Sequence, residues 1–288
     1  MPTLRYDRHH ARQRLRLLIL DGTPGTTALL LLAAHRALPR PDHVLAADTG
    51  LYTAAAYHHL SRLERIAADA GIGFRRADAT IVAEHTLGND HPCPLPLFTR
   101  DPDGTPGRLP NQCARRQAAV LAAQVRSLTE ASPDSPGTVV ECFRAVSIEH
   151  ARRASAGTHG LRVRYPLLDI GWTDADCRAY LHRHDLADTR RLACLACPQH
   201  SGARWRELRA YQPEAWEEAL AIDAALRHRH PHAAPRPTPP GTTYYLHPAR
   251  VPLAHADLDT EDTPEVEGCS LWTCRGTEAS GQHGVGEL

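Results

Sequence analysis

The chain has 288 residues, 42% of them hydrophobic, enough for one large α/β domain with an appendage and a sizeable core. Its 33 basic residues balance 33 acidic ones, so the formal net charge is zero and the global signature of a nucleic-acid binder is absent. No segment supplies the ~18 uninterrupted apolar residues of a membrane span, and no apolar core of signal-peptide length follows the basic N-terminus. A cytoplasmic location is therefore expected, in which eight cysteines favour metal or thiol chemistry over structural disulfides. All the basic residues are arginine, a compositional bias rather than a set of separate bidentate sites.

The first strand is predicted over Leu15–Leu20. The loop Asp21-Gly22-Thr23-Pro24-Gly25-Thr26-Thr27 follows, and then a long apolar helical run from Ala28. A strand, a glycine-bearing turn and a helix start together make an anion cradle from backbone N–H groups and the helix dipole. The lysine that commonly accompanies such a cradle is missing. A second short strand, Val44–Ala47, ends at Asp48-Thr49-Gly50, and a helix is predicted over Ala54–Ala70, closed by Gly71 and Gly73. Both turns end strands, so both are expected to line one crevice at the carboxyl edge of a parallel sheet.

Phe74–Ala77 reads as a weak third strand. The proline-, aspartate- and glycine-rich stretch Asp78–Asn111 reads as a long loop. A helix over Gln117–Leu128 and a strand over Val139–Ile148 continue the alternation, which implies an α/β fold with helices on both faces of a parallel sheet. Arg164–Asp169 is expected to be an extended connector. Thr173-Asp174-Ala175-Asp176 reads as a capping box opening a helix. Trp205–Arg229 reads as one strong helix. Five prolines between Pro231 and Pro240 mark a linker, and the chain beyond Glu261 has little periodicity. The expected organisation is an α/β nucleotide-binding domain over 1–170, a helical cysteine-containing extension over 171–230, and a linker with a poorly structured tail over 231–288.

The segment Cys194-Leu195-Ala196-Cys197-Pro198 brings two sulfurs toward one centre, a spacing common to metal sites and redox dithiols. Cys113, ahead of Arg115 and Arg116 at a predicted helix start, is a candidate third ligand, and His200 is a further candidate for a zinc site. The two arginines are candidates for a phosphate or sulfate group. Cys269 and Cys274 in the tail are candidates for a fourth ligand or a redox pair. Cys142 and Cys177 read as buried small hydrophobes, and His58, His59 and His228 as surface residues.

In order along the chain, these motifs resemble the phosphoadenosine phosphosulfate reductase-like family of the adenine-nucleotide α-hydrolase superfamily, and most closely a branch found in phages and actinobacteria. The resemblance runs from Leu15 to Arg250. It rests on Asp21–Thr27, Ala47-Asp48-Thr49-Gly50, Pro96-Leu97-Phe98-Thr99, Gln112-Cys113, Ser147-Ile148-Glu149, Tyr165-Pro166-Leu167-Leu168-Asp169, Trp172–Cys177, and Ala193–Pro198 with Trp205-Arg206. It implies a Rossmann-like open parallel sheet of five strands. It also implies ATP or a related adenine nucleotide with Mg2+, held at Asp21, Gly22, Thr23, Gly25, Thr26, Thr27, Asp48, Thr49 and Gly50.

By the same analogy Cys113, Cys194 and Cys197 would hold an iron–sulfur cluster, or alternatively zinc. The chemistry would be that of a reductase-like oxidoreductase or an ATP-pyrophosphatase-type sulfurtransferase, with transfer RNA, DNA or a small molecule as sulfur acceptor. The loop departs from the superfamily pattern Ser-Gly-Gly-Lys-Asp-Ser, with Pro24 in the lysine position. Glu267-Gly268-Cys269 has the composition but not the order of the Glu-Cys-Gly motif of sulfonucleotide reductases. Sulfonucleotide reduction is therefore not implied, and a non-catalytic nucleotide-binding protein with a structural zinc is the alternative reading.

Overall fold

Three apolar runs at the start of the chain form neighbouring parallel strands: β1 (Arg14–Ile19), β2 (His43–Asp48) and β3 (Gly73–Asp78). The structure is a computed structural model that describes residues 14–88, 90–130, 139–154, 161–187, 189, 192–228 and 238–259. Two later strands, β6 (Val139–Phe143) and β7 (Leu161–Arg164), extend the sheet on the other side of β1. Here β4 (Phe98–Arg100), β5 (Pro106–Arg108) and β8 (Thr243–Tyr245) denote the strands of a second sheet. The five-stranded sheet is all-parallel in the order β3-β2-β1-β6-β7, a Rossmann-like open sheet. The order reverses at β1, so the switch-point crevice opens beyond the carboxyl ends of β1 and β6.

Each face of the sheet carries its own apolar layer. On one face, α1 (Pro24–Ala34) is buried from Thr26 to Ala33, as expected of a helix that is apolar all round. It packs between α2 (Ala54–Asp69) and α6 (Asp174–His182). On the other face α4 (Gln112–Glu130) lays Leu121 and Leu128 against Leu17, Leu45, Ala77 and Val140. The first layer runs without a break into Leu192, Cys194–Cys197, Trp205, Leu208, Leu246, Leu253 and Leu258. The 171–230 segment thus shares its core with the nucleotide-binding half of the expected division.

Several local expectations are corrected. The stretch 78–111 holds the helix α3 (Ile81–Leu87) and the hairpin β4–β5. The strand expected to reach Ile148 stops at Phe143, and a 3-10 helix spans Ile148–Arg153. The connector 164–169 is the end of β7 followed by the short helix α5 (Pro166–Asp169). The long C-terminal helix is two, α7 (Gly202–Tyr211) and α8 (Pro213–Leu226), interrupted at Gln212 because Pro213 starts a new helix. Gly71, at φ +67°, follows the end of α2, whereas Gly73 opens β3. His59 is buried on the inner face of α2, while His58 and His228 are exposed.

Within the expected linker and tail, residues 243–245 form β8, which pairs antiparallel with β4. The buried Asp223 carboxylate holds this segment, accepting from Leu246 N at 3.1 Å, from Leu253 N at 2.9 Å and from the Arg227 guanidinium. The Thr173–Asp176 capping box is present in full. No helix among the described residues is long and apolar enough to cross a membrane.

Candidate functional site

The β1–α1 loop is organised by one carboxylate. Gly22 takes φ +72°, which turns the chain out of β1. Asp21 Oδ1 then accepts from Thr23 N at 3.0 Å, Thr23 Oγ1 at 2.7 Å and Thr26 Oγ1 at 2.7 Å. Thr23 caps α1 by accepting from Thr26 N, and Pro24 occupies the first helical turn, where a missing N–H costs least. The Thr26 hydroxyl thus takes part in ordering the loop through Asp21. The Thr27 hydroxyl is buried with no hydrogen-bond partner, as is that of Ser147 just beyond β6. Gly25 lies against the chain after β6: a Cβ on it would stand 3.1 Å from Ala145 Cβ.

At the end of β2, Asp48 Oδ1 accepts from Gly50 N at 3.0 Å and from the Tyr57 hydroxyl at 2.8 Å. Burial, and then the bond to Asp48, push the Tyr57 hydroxyl well above the ordinary tyrosine range. Gly50, at φ +73°, is pressed against α3, where a Cβ would lie 3.0 Å from Ala83 Cβ. Thr49 is wholly buried between these groups.

The cysteine loop crosses both turns. Leu192 N donates to Asp21 O at 2.9 Å, and Leu195 N donates to Leu51 O at 2.7 Å. Tyr52 and Cys194 make an isolated antiparallel bridge. The Cys194 sulfur lies 3.0 Å from Thr49 Oγ1 and is hydrogen-bonded to Cys113. Cys113 sits in the first turn of α4, where Gln117 Nε2 donates to its sulfur at 3.1 Å. The bond to Cys113, then burial, then the neighbouring Cys113 and Cys197 raise the Cys194 thiol well above its usual range, while Thr49 pulls the other way. Cys197 N closes a turn onto Cys194 O at 3.2 Å. The three cysteines expected as ligands therefore lie near one another at the carboxyl edge, beside the turns after β1 and β2.

His200 N donates to Cys197 O at 3.1 Å, and its ring lies edge-on to Trp205 with ring centres 4.7 Å apart. Arg115 is exposed and Arg116 half-buried on α4. Burial pushes Cys142 up to about 11 and Cys177 up to about 12, in keeping with inert packing residues. Cys269 and Cys274 lie outside the described residues. Among the described residues, no three His, Cys, Asp or Glu side chains stand at metal-ligand spacing.

Three side chains at the site were not anticipated from the sequence. Gln117 stands four residues after Cys113 on a helix, the spacing at which helical side chains meet. Tyr57 reaches back across the turn to Asp48, with no comparable local signal. Arg144, next after β6 and one residue before the Ala145 that faces Gly25, lies with its guanidinium 5.9 Å from the Tyr165 ring centre. Fold and site define a Rossmann-like α/β protein with buried thiols beside the turns that follow β1 and β2. No protein-family model and no curated protein matches this chain.

Proposed function

We propose that the chain binds ATP or a related adenine nucleotide at the β1–α1 and β2–α2 turns and performs sulfur-transfer or redox chemistry beside it, in the manner of the phosphoadenosine phosphosulfate reductase-like family. One observation carries the reading: the Cys194 loop is hydrogen-bonded to both turns, through Leu192 to Asp21 and through Leu195 to Leu51. Sulfur and phosphate would then share one crevice. The amino end of α1 supplies N–H groups and a positive dipole end to a phosphate. The buried Thr27 and Ser147 hydroxyls supply further polar groups close by. Asp48, held by Tyr57 and Gly50 N, would carry Mg2+ or orient the nucleotide. Transfer RNA, DNA and a small molecule are all chemically suitable sulfur acceptors.

An iron–sulfur cluster on Cys113, Cys194 and Cys197, or zinc in its place, suits the donor chemistry of three neighbouring thiols. As placed, the residues do not fit it, because no three of them stand at ligand spacing among the described residues. Metal analysis of an anaerobically purified sample tests that reading. Stoichiometric iron or zinc, lost in Cys194→Ser, would support a metal centre; its absence would remove it.

Calorimetric titration with ATP and Mg2+, followed by assay for AMP and pyrophosphate, tests the nucleotide reading. Saturable binding that weakens in Asp48→Ala is expected, and no binding in either protein overturns the proposal. The engagement of Asp21 by the Thr23 and Thr26 hydroxyls in a lysine-free loop favours a second reading, a binding protein without ATP cleavage. Tight binding with no pyrophosphate release would favour it.

A further inference from the structure

We propose that His35 and His184 form a two-imidazole site for a divalent transition-metal cation, a clip that joins the carboxyl end of α1 to that of α6. Both histidines are exposed, and their ring centres lie 4.8 Å apart with the planes at 51°. Two imidazoles bound side by side on one ion, each by a metal–nitrogen bond of about 2.1 Å, hold their ring centres about 5 Å apart. The pair also has the outer support that metal-bound histidines use. His35 Nδ1 stands 2.9 Å from the Tyr180 hydroxyl oxygen. With Nδ1–H donating to that oxygen, the lone pair is on Nε2, the ligating form of the ring. The Tyr180 ring centre is in turn 4.6 Å from that of His184 and 5.3 Å from that of Trp172, so one half-buried side chain positions both imidazoles.

The backbone fixes the pair as well. Each histidine stands directly before a left-handed residue, Arg36 at φ +61° and Asp185 at φ +57°. Each helix is then closed by the same two bonds. Ala37 N donates to Leu32 O and Arg36 N to Ala33 O; Leu186 N donates to Leu181 O and Asp185 N to His182 O. The histidines thus hold the same position at the ends of two helices that pack together. The carboxyl end of a helix is partly negative, which favours a cation there and acts against the repulsion from Arg183, whose guanidinium lies 5.7 Å from the Tyr180 ring centre. Imidazole donors select Ni2+, Cu2+ or Zn2+ over Mg2+ and Ca2+, and water completes the coordination. The clip fixes the far end of the helix that bears the β1–α1 turn. It shares no residue with the cysteine loop and does not rest on nucleotide binding.

The test uses the full chain, stripped of metal with a chelator that is then removed, and kept reduced with a phosphine. Thermal unfolding is followed with and without NiCl2. A cation that binds only the folded protein raises Tm, and a rise of about 5 °C is expected once Ni2+ stands at about 100 times its Kd. His35→Asn and His184→Asn, at exposed positions, should each keep the metal-free Tm of the parent and lose the rise. His35→Gln and His184→Gln serve in their place if an asparagine variant does not fold. His182→Asn, an exposed histidine on the same end of α6, should keep the rise. No rise in the parent, a rise that persists in either the His35 or the His184 variant, or a rise lost in His182→Asn would each overturn the proposal.

Discussion

The Thr49 hydroxyl and the Cys194 sulfur stand 3.0 Å apart although 145 residues separate them in the chain. The contact joins the turn after β2 to the cysteine loop, and it buries a hydroxyl that meets a sulfur and the Leu51 N–H. Thr49→Val keeps the shape and removes the hydroxyl. A loss of about 1 kcal/mol in urea unfolding is expected, with Thr49→Ser closer to the parent protein. An unchanged Thr49→Val midpoint would show that the hydroxyl contributes nothing there.

Asp21 gathers the amide of Thr23 and the hydroxyls of Thr23 and Thr26 on a single oxygen. Asp21→Ala leaves all three without that acceptor and is expected to cost about 1–2 kcal/mol. Asp21→Asn retains an acceptor oxygen and should lose less. Denaturation of the two variants side by side checks the order, and ATP titration of each shows whether loop order governs affinity.

Gly50 combines a left-handed backbone with close approach to Ala83. Gly50→Ala adds both conformational strain and overlap, and a loss of about 1–2 kcal/mol is expected from the backbone alone. Thermal unfolding measures it. A Tm equal to that of the parent would mean that the turn after β2 relaxes freely.

Tyr57 titrates above the ordinary tyrosine range because it is partly buried and donates to Asp48. The unfolded chain releases the same proton near pH 10. Above that pH the unfolded state loses the proton first, so the stability contributed by neutral Tyr57 is full below pH 10 and falls as pH rises toward the folded value. Phenolate absorbance at 295 nm is expected to show a late-titrating tyrosine that disappears in Tyr57→Phe. The variant should also have a shallower alkaline loss of stability.

Asp223 is the anchor of the second sheet's late strand, accepting two backbone N–H groups and pairing with Arg227. Asp223→Ala strands a buried guanidinium and two amides, and a loss of about 3 kcal/mol is expected. Hydrogen exchange should locate the loosening in 243–255, with β1 and β2 still protected. Uniform loss of protection would contradict a local anchoring role.

The elements that could be read from sequence carry their own local signal. β1 and β2 are apolar runs between turn residues, α2 repeats its buried positions at helical spacing, and Thr173 and Asp176 bond each other within one turn. The elements missed are those whose stability comes from elsewhere. β7 has only four residues, alternating apolar and charged at the sheet edge, and it is defined by its pairing with β6. β4, β5 and β8 have three residues each, too few for a period, and exist because β4 finds partners on both sides.

The same division holds at the site. Sequence by itself determined the two turns beyond β1 and β2, through glycines, threonines and acidic residues placed where strands give way to helices. It also marked Cys113, Cys194 and Cys197 as chemically notable. Only the tertiary structure decided that the Cys194 sulfur packs on Thr49, that Thr26 serves Asp21, and that Tyr57 and Gln117 stand beside these groups. A turn is set by backbone preferences a few residues wide. The meeting of Thr49 with Cys194 is set by where α4 and the cysteine loop pack on a sheet whose strand order reverses at β1.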